Sequence, residues 1–448
     1  MNQEKLIRKA FLTIILGLAC SSLAAPHNWP TWRGPLATGI APDGNPPLTW
    51  SETENVLWKI ELAGDGSNST PIVWGNKLIY QSAVETDRQK TQTEAPQPEQ
   101  ANSGGRGGRR GGSPTNYYQF NLVCLDRHSG KEIWSKTVTE AVPQQGHHPD
   151  HGFASFSPIT DGQLVWANFG PQGLYCYDLD GNLKWKTELG PYNIRMGFGP
   201  GGSLTLAGDK VIVVKDHEDQ SFIVAYDKNT GKELWKKERD EQTNWSTPLV
   251  VTIEDQTQVV VNGQNKIRAY DPANGDVIWT CTGQTANPIP TPVLEGDRLF
   301  CTSGFRGAKL QAIKLGQTGD LTGTDAIVWE VDKDTPYVPS PLCYQGKVYV
   351  SSGNKEVVSC YAADTGKPYY TSETLPELKG IYASPIGAAG RVYYIGRNGV
   401  TSVLKNADTF EVLATNKLDD TIDCSPVVVG NALYLKGKKK LYCIAADG

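Results

Sequence analysis

Two clusters of titratable side chains carry the residue types that could do chemistry. The first is His147-His148-Pro149-Asp150-His151, which holds three of the six histidines of the chain beside a carboxylate. Imidazole with carboxylate suits a transition metal, but ligands must converge and Pro149 splits the run. His147, His148 and Asp150 therefore stand only as weak metal candidates, and His151 as a hydrogen-bonding group. The second is Asp216-His217-Glu218-Asp219. Calcium takes oxygen ligands, yet the alternating Asp/Asn/Gly spacing of a calcium loop is missing. Asp216 is a further weak candidate, and a solvated turn is the plainer reading. Arg195 sits among Gly197, Gly199, Gly201 and Gly202, a pliable loop with one cation that suits an anionic group. No helix pattern follows it, so it is not a nucleotide fingerprint. No Ser/His/Asp or Cys/His constellation is assembled by local motif, and no catalytic residue is assigned.

The elements that must position these groups are read from repeats. Ala225-Tyr226-Asp227-Lys228-Asn229-Thr230-Gly231-Lys232-Glu233-Leu234-Trp235 reads as strand, tight turn, strand. Asp and Asn bond their own backbone in such turns and Gly supplies a positive φ. The same pattern returns at Cys124–Trp134 and Ala269–Trp279, with shorter copies around Asp178 and Asp364. A second signal is a small residue before proline at the start of an apolar strand: Thr70, Ser157, Thr247, Thr291, Ser340, Ser384 and Ser425. Ser203-Leu204 holds the eighth position without proline. Most copies lie about 44 residues apart, the period of a propeller blade. Each unit carries four strands. The last, from Cys424, stops after three, and the orphan strand Asn55–Leu62 around Trp58 is the fourth it lacks. Joining both termini in one sheet removes exposed edges. The expected fold is all-β: an eight-bladed propeller of four-stranded antiparallel blades over 55–448, preceded by an arm over 25–54 that packs on it.

In such blades the inter-blade linkers and the loops between strands two and three share one face. That places His151, Arg195, Trp245, Asn287 and Tyr337 together on linkers, with Tyr382 and Asp423, and Arg306, Asn354 and Arg397 on mid-blade loops. Concave sites with a few converging polar groups bind ligands. His151, Arg195, Trp245, Asn287, Arg306, Tyr337 and Arg397 are the expected ligand-binding residues of this funnel face. Trp245 stands outside the repeat position of the blade tryptophans and suits stacking on a planar ligand or a sugar.

The bulk properties exclude several classes. A net charge of −5 is the wrong sign for a generic nucleic-acid binder. Lys5, Arg8 and Lys9 precede the short apolar run Phe11–Ala19 and the small residues Ser22-Leu23-Ala24. That pattern reads as a secretory signal over 1–24, with lipid anchoring at Cys20 the rival, and the run is too short for a transmembrane span. Cys124, Cys176, Cys360 and Cys443 share one slot of the repeat, a packing position rather than a disulfide framework. The stretch 85–116 is Gln/Glu/Pro-rich and then Gly/Arg-rich, and is expected to be a disordered insertion.

With the strand, the Asp-x-x-(Thr/Ser)-Gly-Lys-x-x-Trp turn and the small-residue-Pro start in place, these units resemble the PQQ-like β-propeller repeat. The resemblance implies two functional classes: quinoprotein dehydrogenases, which hold the quinone and a calcium ion in the funnel, and non-catalytic proteins such as the outer-membrane assembly factor BamB. The opening Trp29-Pro30-Thr31-Trp32-Arg33-Gly34-Pro35 is similar to that of secreted bacterial members. The chain lacks adjacent cysteines and a Cys-x-x-Cys-His haem site. The expectation is therefore a monomeric periplasmic or secreted propeller that binds a protein or carbohydrate partner of the cell envelope without catalysis. The alternative is a PQQ- and calcium-dependent oxidoreductase, with Arg195, Trp245 and Arg306 on the cofactor.

Overall fold

A computed structural model describes residues 28–64, 66–90, 114–352 and 355–446. The expected signal with Cys20, most of the insertion, and Asn354 lie outside the described residues. Those residues form eight sheets. Blades 1 to 7 take 72–141, 159–187, 205–239, 249–281, 293–331, 342–374 and 386–417 in order, and blade 8 joins 427–444 to the early strand Val56–Glu61. First strands of neighbouring blades contact one another, so they line the central bore. The ring is closed by antiparallel pairing of Val56–Glu61 with Lys440–Ile444, in a register that sets Trp58 opposite Cys443.

The repeat motif is a device for joining blades. Asp227 Oδ1 accepts the Asn229 and Thr230 N–H groups at 3.1 and 2.8 Å and the Thr230 hydroxyl at 2.8 Å, which fixes the turn. Gly231 then has φ +71°, and its Cα lies against the ring of Trp185 from the preceding blade. The Trp185 indole N–H donates to Lys228 O at 3.0 Å. The same pairing joins Trp58 to Gly130, Trp134 to Gly181, Trp235 to Gly275 and Trp329 to Gly366, each indole donating to a carbonyl of the next blade's turn. Gly and Trp, close in the sequence motif, thus meet across blades rather than within one. Trp279 differs: it is fully buried, donates to Gln258 Oε1 at 2.8 Å, and is covered by an added parallel strand, Gly319–Asp320.

The arm enters the bore. Trp29 is fully buried and bridges Val73, and Ile40–Ala41 adds a parallel strand on the bore side of blade 7. Between them Arg33 is 1% exposed. Its guanidinium donates to Pro385 O at 2.8 Å, Thr38 O at 2.7 Å and Pro341 O at 3.0 Å, and burial pulls its pKa down to about 9. Gly39 lies so close to this guanidinium that a Cβ there would overlap it.

One boundary moves. Lys77–Gln89 and Asn116–Asp126 extend the blade 1 hairpin into the stretch expected to be disordered, with Glu85 opposite Tyr118 and Gln89 opposite Asn116. Cross-strand contacts support this extension: Arg88 stacks on Tyr117 at 3.8 Å and pairs with Glu140 at 3.1 Å. The eight described cysteines are buried and unbridged. Burial raises the thiols of Cys124, Cys176, Cys360 and Cys443 to about 12, so they behave as apolar packing groups.

Candidate functional site in the funnel

Among the described residues, the eight Ser/Thr positions form a closed ring of hydrogen bonds around the bore. Thr70 N–H donates to Ser157 Oγ at 3.0 Å, Ser157 N–H to Ser203 Oγ at 2.9 Å, and Ser203 N–H to Thr247 Oγ1 at 2.8 Å. The ring runs on from Thr247 to Thr291, Ser340, Ser384 and Ser425 at 3.1, 2.9, 2.9 and 3.0 Å. Ser425 N–H closes it on Thr70 Oγ1 at 3.2 Å. Each hydroxyl oxygen accepts from the preceding blade, so each seam gains one buried bond. Each hydroxyl proton is left to donate elsewhere.

Above this ring the bore opens into a recess of about 260 Å³. Each of the eight inter-blade linkers contributes to its lining, and Trp32 of the arm also lines it. Seven of the ring residues line it; Ser340 does not. The walls are apolar and aromatic at Phe198, Trp245, Ile289, Tyr337 and Val338. Trp245 is held by its indole N–H donating to Gly199 O at 2.9 Å, with Gly201 against its ring. Tyr337 stacks on Phe305 at 5.0 Å.

The charged groups of the rim are spent on one another. Arg397 donates to Asp423 from Nε at 2.7 Å and from Nη2 at 3.2 Å. It also reaches Asp150 at 2.7 and 3.1 Å, while the Tyr382 hydroxyl donates to Asp150 at 3.1 Å. The guanidinium lies over the Tyr382 ring at 4.1 Å. Burial opposes ionisation of both carboxylates. At Asp150 the Arg397 bonds outweigh it and hold the group below the usual range, whereas at Asp423 burial prevails and raises it. Lys438 stands 3.9 Å from Asp423.

The other expected residues sort as follows. His151, Trp245 and Tyr337 line the recess. His151 faces Pro200 O at 3.0 Å, and burial lowers its pKa to about 4, so it is neutral. Arg195 does not line the recess. It braces three linkers, donating to Asn287 at 2.9 Å, to Gln242 at 2.9 Å and from its backbone to Thr243 at 3.0 Å. Asn287 is thereby a brace partner. Arg306 is exposed and lies over Phe305 at 5.4 Å.

Of the weak metal candidates, His148 and Asp150 approach at 3.7 Å, and no group of three His, Cys, Asp or Glu able to hold a metal occurs among the described residues. His147 packs edge-on against Phe153 at 4.4 Å and His148 against Phe198 at 5.0 Å. Asp216 is fully buried in a two-pronged pair with Arg239 at 2.7 and 3.0 Å. Glu218 instead accepts from Thr243 Oγ1 at 2.7 Å. His217 Nδ1 accepts the Asn193 N–H at 3.2 Å, which leaves its Nε2–H for Gln220 O at 3.1 Å. This tetrad fastens linkers to blade 3.

Sequence reasoning overlooked the hydroxyl ring, Trp32 and the wall residues Ile289 and Val338. The signal for the ring was available: every one of the eight small residues is Ser or Thr, never Ala or Gly.

The repeat takes its name from a quinone. That quinone is a flat tricarboxylate, so its site needs cations. No Lys or Arg is among the lining residues. The oxygens of the two lining carboxylates are already committed to Arg397 and Tyr382, which leaves no free oxygen set for calcium. The residues present do not fit the group.

Comparison with known proteins agrees with the fold. BamB from Moraxella catarrhalis superposes with a TM-score of 0.59 at 16% identity, over 87% of this chain and 96% of that one. The quinohemoprotein alcohol dehydrogenase from Comamonas testosteroni gives 0.62 at 10% identity, over 94% and 81%. A polyvinylalcohol dehydrogenase from Pseudomonas sp is 25% identical over 38% of this chain, which spans 36% of that relative's length. Residues 119–372, more than half of the chain, match the family described as "Outer membrane protein assembly factor BamB". With its eight blades and repeated turns, the chain belongs to that BamB-type, PQQ-like propeller family.

Proposed function

We propose that this chain is an exported, non-catalytic recognition propeller of the cell envelope that binds a protein or glycan partner on its funnel face. One observation carries the reading: Arg397, Arg195 and Asp216 on that face are each engaged within the protein, while Arg306 stays exposed. Arg397 is spent on Asp150 and Asp423, Arg195 on Asn287 and Gln242, and Asp216 on Arg239. What remains toward the recess is largely hydroxyl and aromatic surface, suited to recognition. Export is supported by the family and by the residues at 1–24. No described helix is long and apolar enough to cross a membrane.

A second reading is a quinone-dependent dehydrogenase. It draws on the polyvinylalcohol dehydrogenase relative and is opposed by the misfit of the recess to a tricarboxylate. Photo-crosslinking in cells separates a funnel partner from none. A crosslinker replacing Arg306, exposed on the funnel face, should give a discrete adduct. One replacing Asn229, on the turn of the opposite face, should give none. Adducts from Asn229 alone would refute the assignment of the face.

A further inference from the structure

Taking the recognition reading as given, we infer that the recess binds one neutral sugar unit, free or as the end of a glycan. Its size restricts the occupant: about 260 Å³ is below the roughly 300–1,000 Å³ of pockets for drug-sized ligands. One six-membered ring fits that space and a folded peptide does not.

Charge restricts it further. No cation is among the lining residues, which disfavours an anion. The two lining carboxylates are neutralised by Arg397 and approached by Lys438 at 3.9 Å, which disfavours an amine. The occupant is neutral.

The lining then specifies its surface. Seven residues of the hydroxyl ring line the recess, each with its oxygen engaged by a backbone N–H and its proton left to donate. A ligand that satisfies them presents several acceptor oxygens around one girdle. Trp32, Trp245 and Tyr337 line the same space and offer flat apolar faces. A pyranose has both features: hydroxyl and ring oxygens at its edge and C–H groups on its faces. A hydrocarbon would leave the hydroxyls unsatisfied, and a wholly polar ligand would waste the aromatic faces.

The test is calorimetric titration of the full mature chain with methyl glucoside, methyl N-acetylglucosaminide and maltose. Glucuronate and glucosamine serve as the anionic and cationic counterparts. At least one neutral probe should saturate with a Kd of about 1 mM or tighter, and its charged counterpart should bind about tenfold more weakly. Val338→Trp, which fills the recess, should abolish binding. As a readout that does not depend on a variant folding, the bound sugar should shield wild-type tryptophan fluorescence from acrylamide.

No binding of any neutral probe at about 20 mM, equal binding of a charged counterpart, or binding and shielding that persist in folded Val338→Trp would overturn the inference. PQQ with calcium is titrated in the same series. Sugars failing while PQQ also fails overturns the sugar site alone. Uptake of PQQ with reduction of an artificial acceptor overturns the recognition reading beneath it.

Discussion

Replacing Ser340 by alanine removes the acceptor of the Thr291 N–H, which donates to Ser340 Oγ at 2.9 Å. Ser340 is 2% exposed and Thr291 is also 2% exposed. Ser340 is also the ring residue that does not line the recess, so water from the recess replaces its oxygen less readily than that of Ser157. A net hydrogen bond contributes about 1 kcal/mol, and a buried N–H left without a partner costs about 1–3 kcal/mol. The expected loss is therefore about 2 kcal/mol. Ser157→Ala frees the Thr70 N–H at a seam that faces the recess, where water substitutes, and the expected loss falls to about 1 kcal/mol. Ser340→Thr keeps the oxygen and should lie within about 0.5 kcal/mol of wild type. Urea unfolding followed by tryptophan fluorescence reads the three variants. In a melt, at about 2.1 cal/mol/K per residue, the Ser340→Ala loss lowers Tm by about 2–3 °C. A neutral Ser340→Ala, or Ser157→Ala costing more than Ser340→Ala, would refute the reasoning that the ring holds the blades and that the recess is wet.

Further perturbations probe other seams. Gly231→Ala combines a φ of +71° with a Cβ 2.5 Å from Trp185, so it should cost more than the about 1 kcal/mol of left-handed strain alone. Gly208→Ala, at φ +63° with open space around it, should cost only that strain, and comparison of urea midpoints checks the difference. Arg33→Met leaves three buried carbonyls without donors, so it should destabilise by about 3 kcal/mol or more and expose the arm to limited proteolysis. His151 has a pKa of about 4 when folded and about 6.5 when unfolded, so the unfolded chain binds more protons between these values. Stability should fall as pH drops from about 6.5 to 4, and His151→Gln should flatten that part of the profile.

The fold was legible because its signals are local and repeated. Asp227, Gly231 and Trp235 fix a turn and a return strand wherever they recur, and the half-units at both ends imply closure. The partners of those residues were not legible, since Gly231 meets Trp185 rather than Trp235. The face of the site followed from connectivity, which put His151, Trp245 and Tyr337 at one recess. Which charges remain free is a matter of side-chain geometry. Arg195 and Arg397 look like ligand contacts in sequence, yet each has partners on other linkers. Trp32 reaches the recess because Arg33 is bonded to carbonyls some 300 residues away, a contact that no local pattern encodes. The five strand residues past Val84 were missed because a charged, Gln-rich sequence carries little strand propensity. Pairing with Tyr118 and Asn116 overrides that propensity.

The most direct test of the account is titration of the purified mature chain with PQQ in the presence and absence of calcium, followed by absorbance and heat. A recess without lining cations, whose carboxylates are tied to Arg397, predicts no saturable uptake at high micromolar quinone and no calcium effect. Saturable, calcium-dependent binding that is lost in a folded Trp245→Ala variant would contradict it.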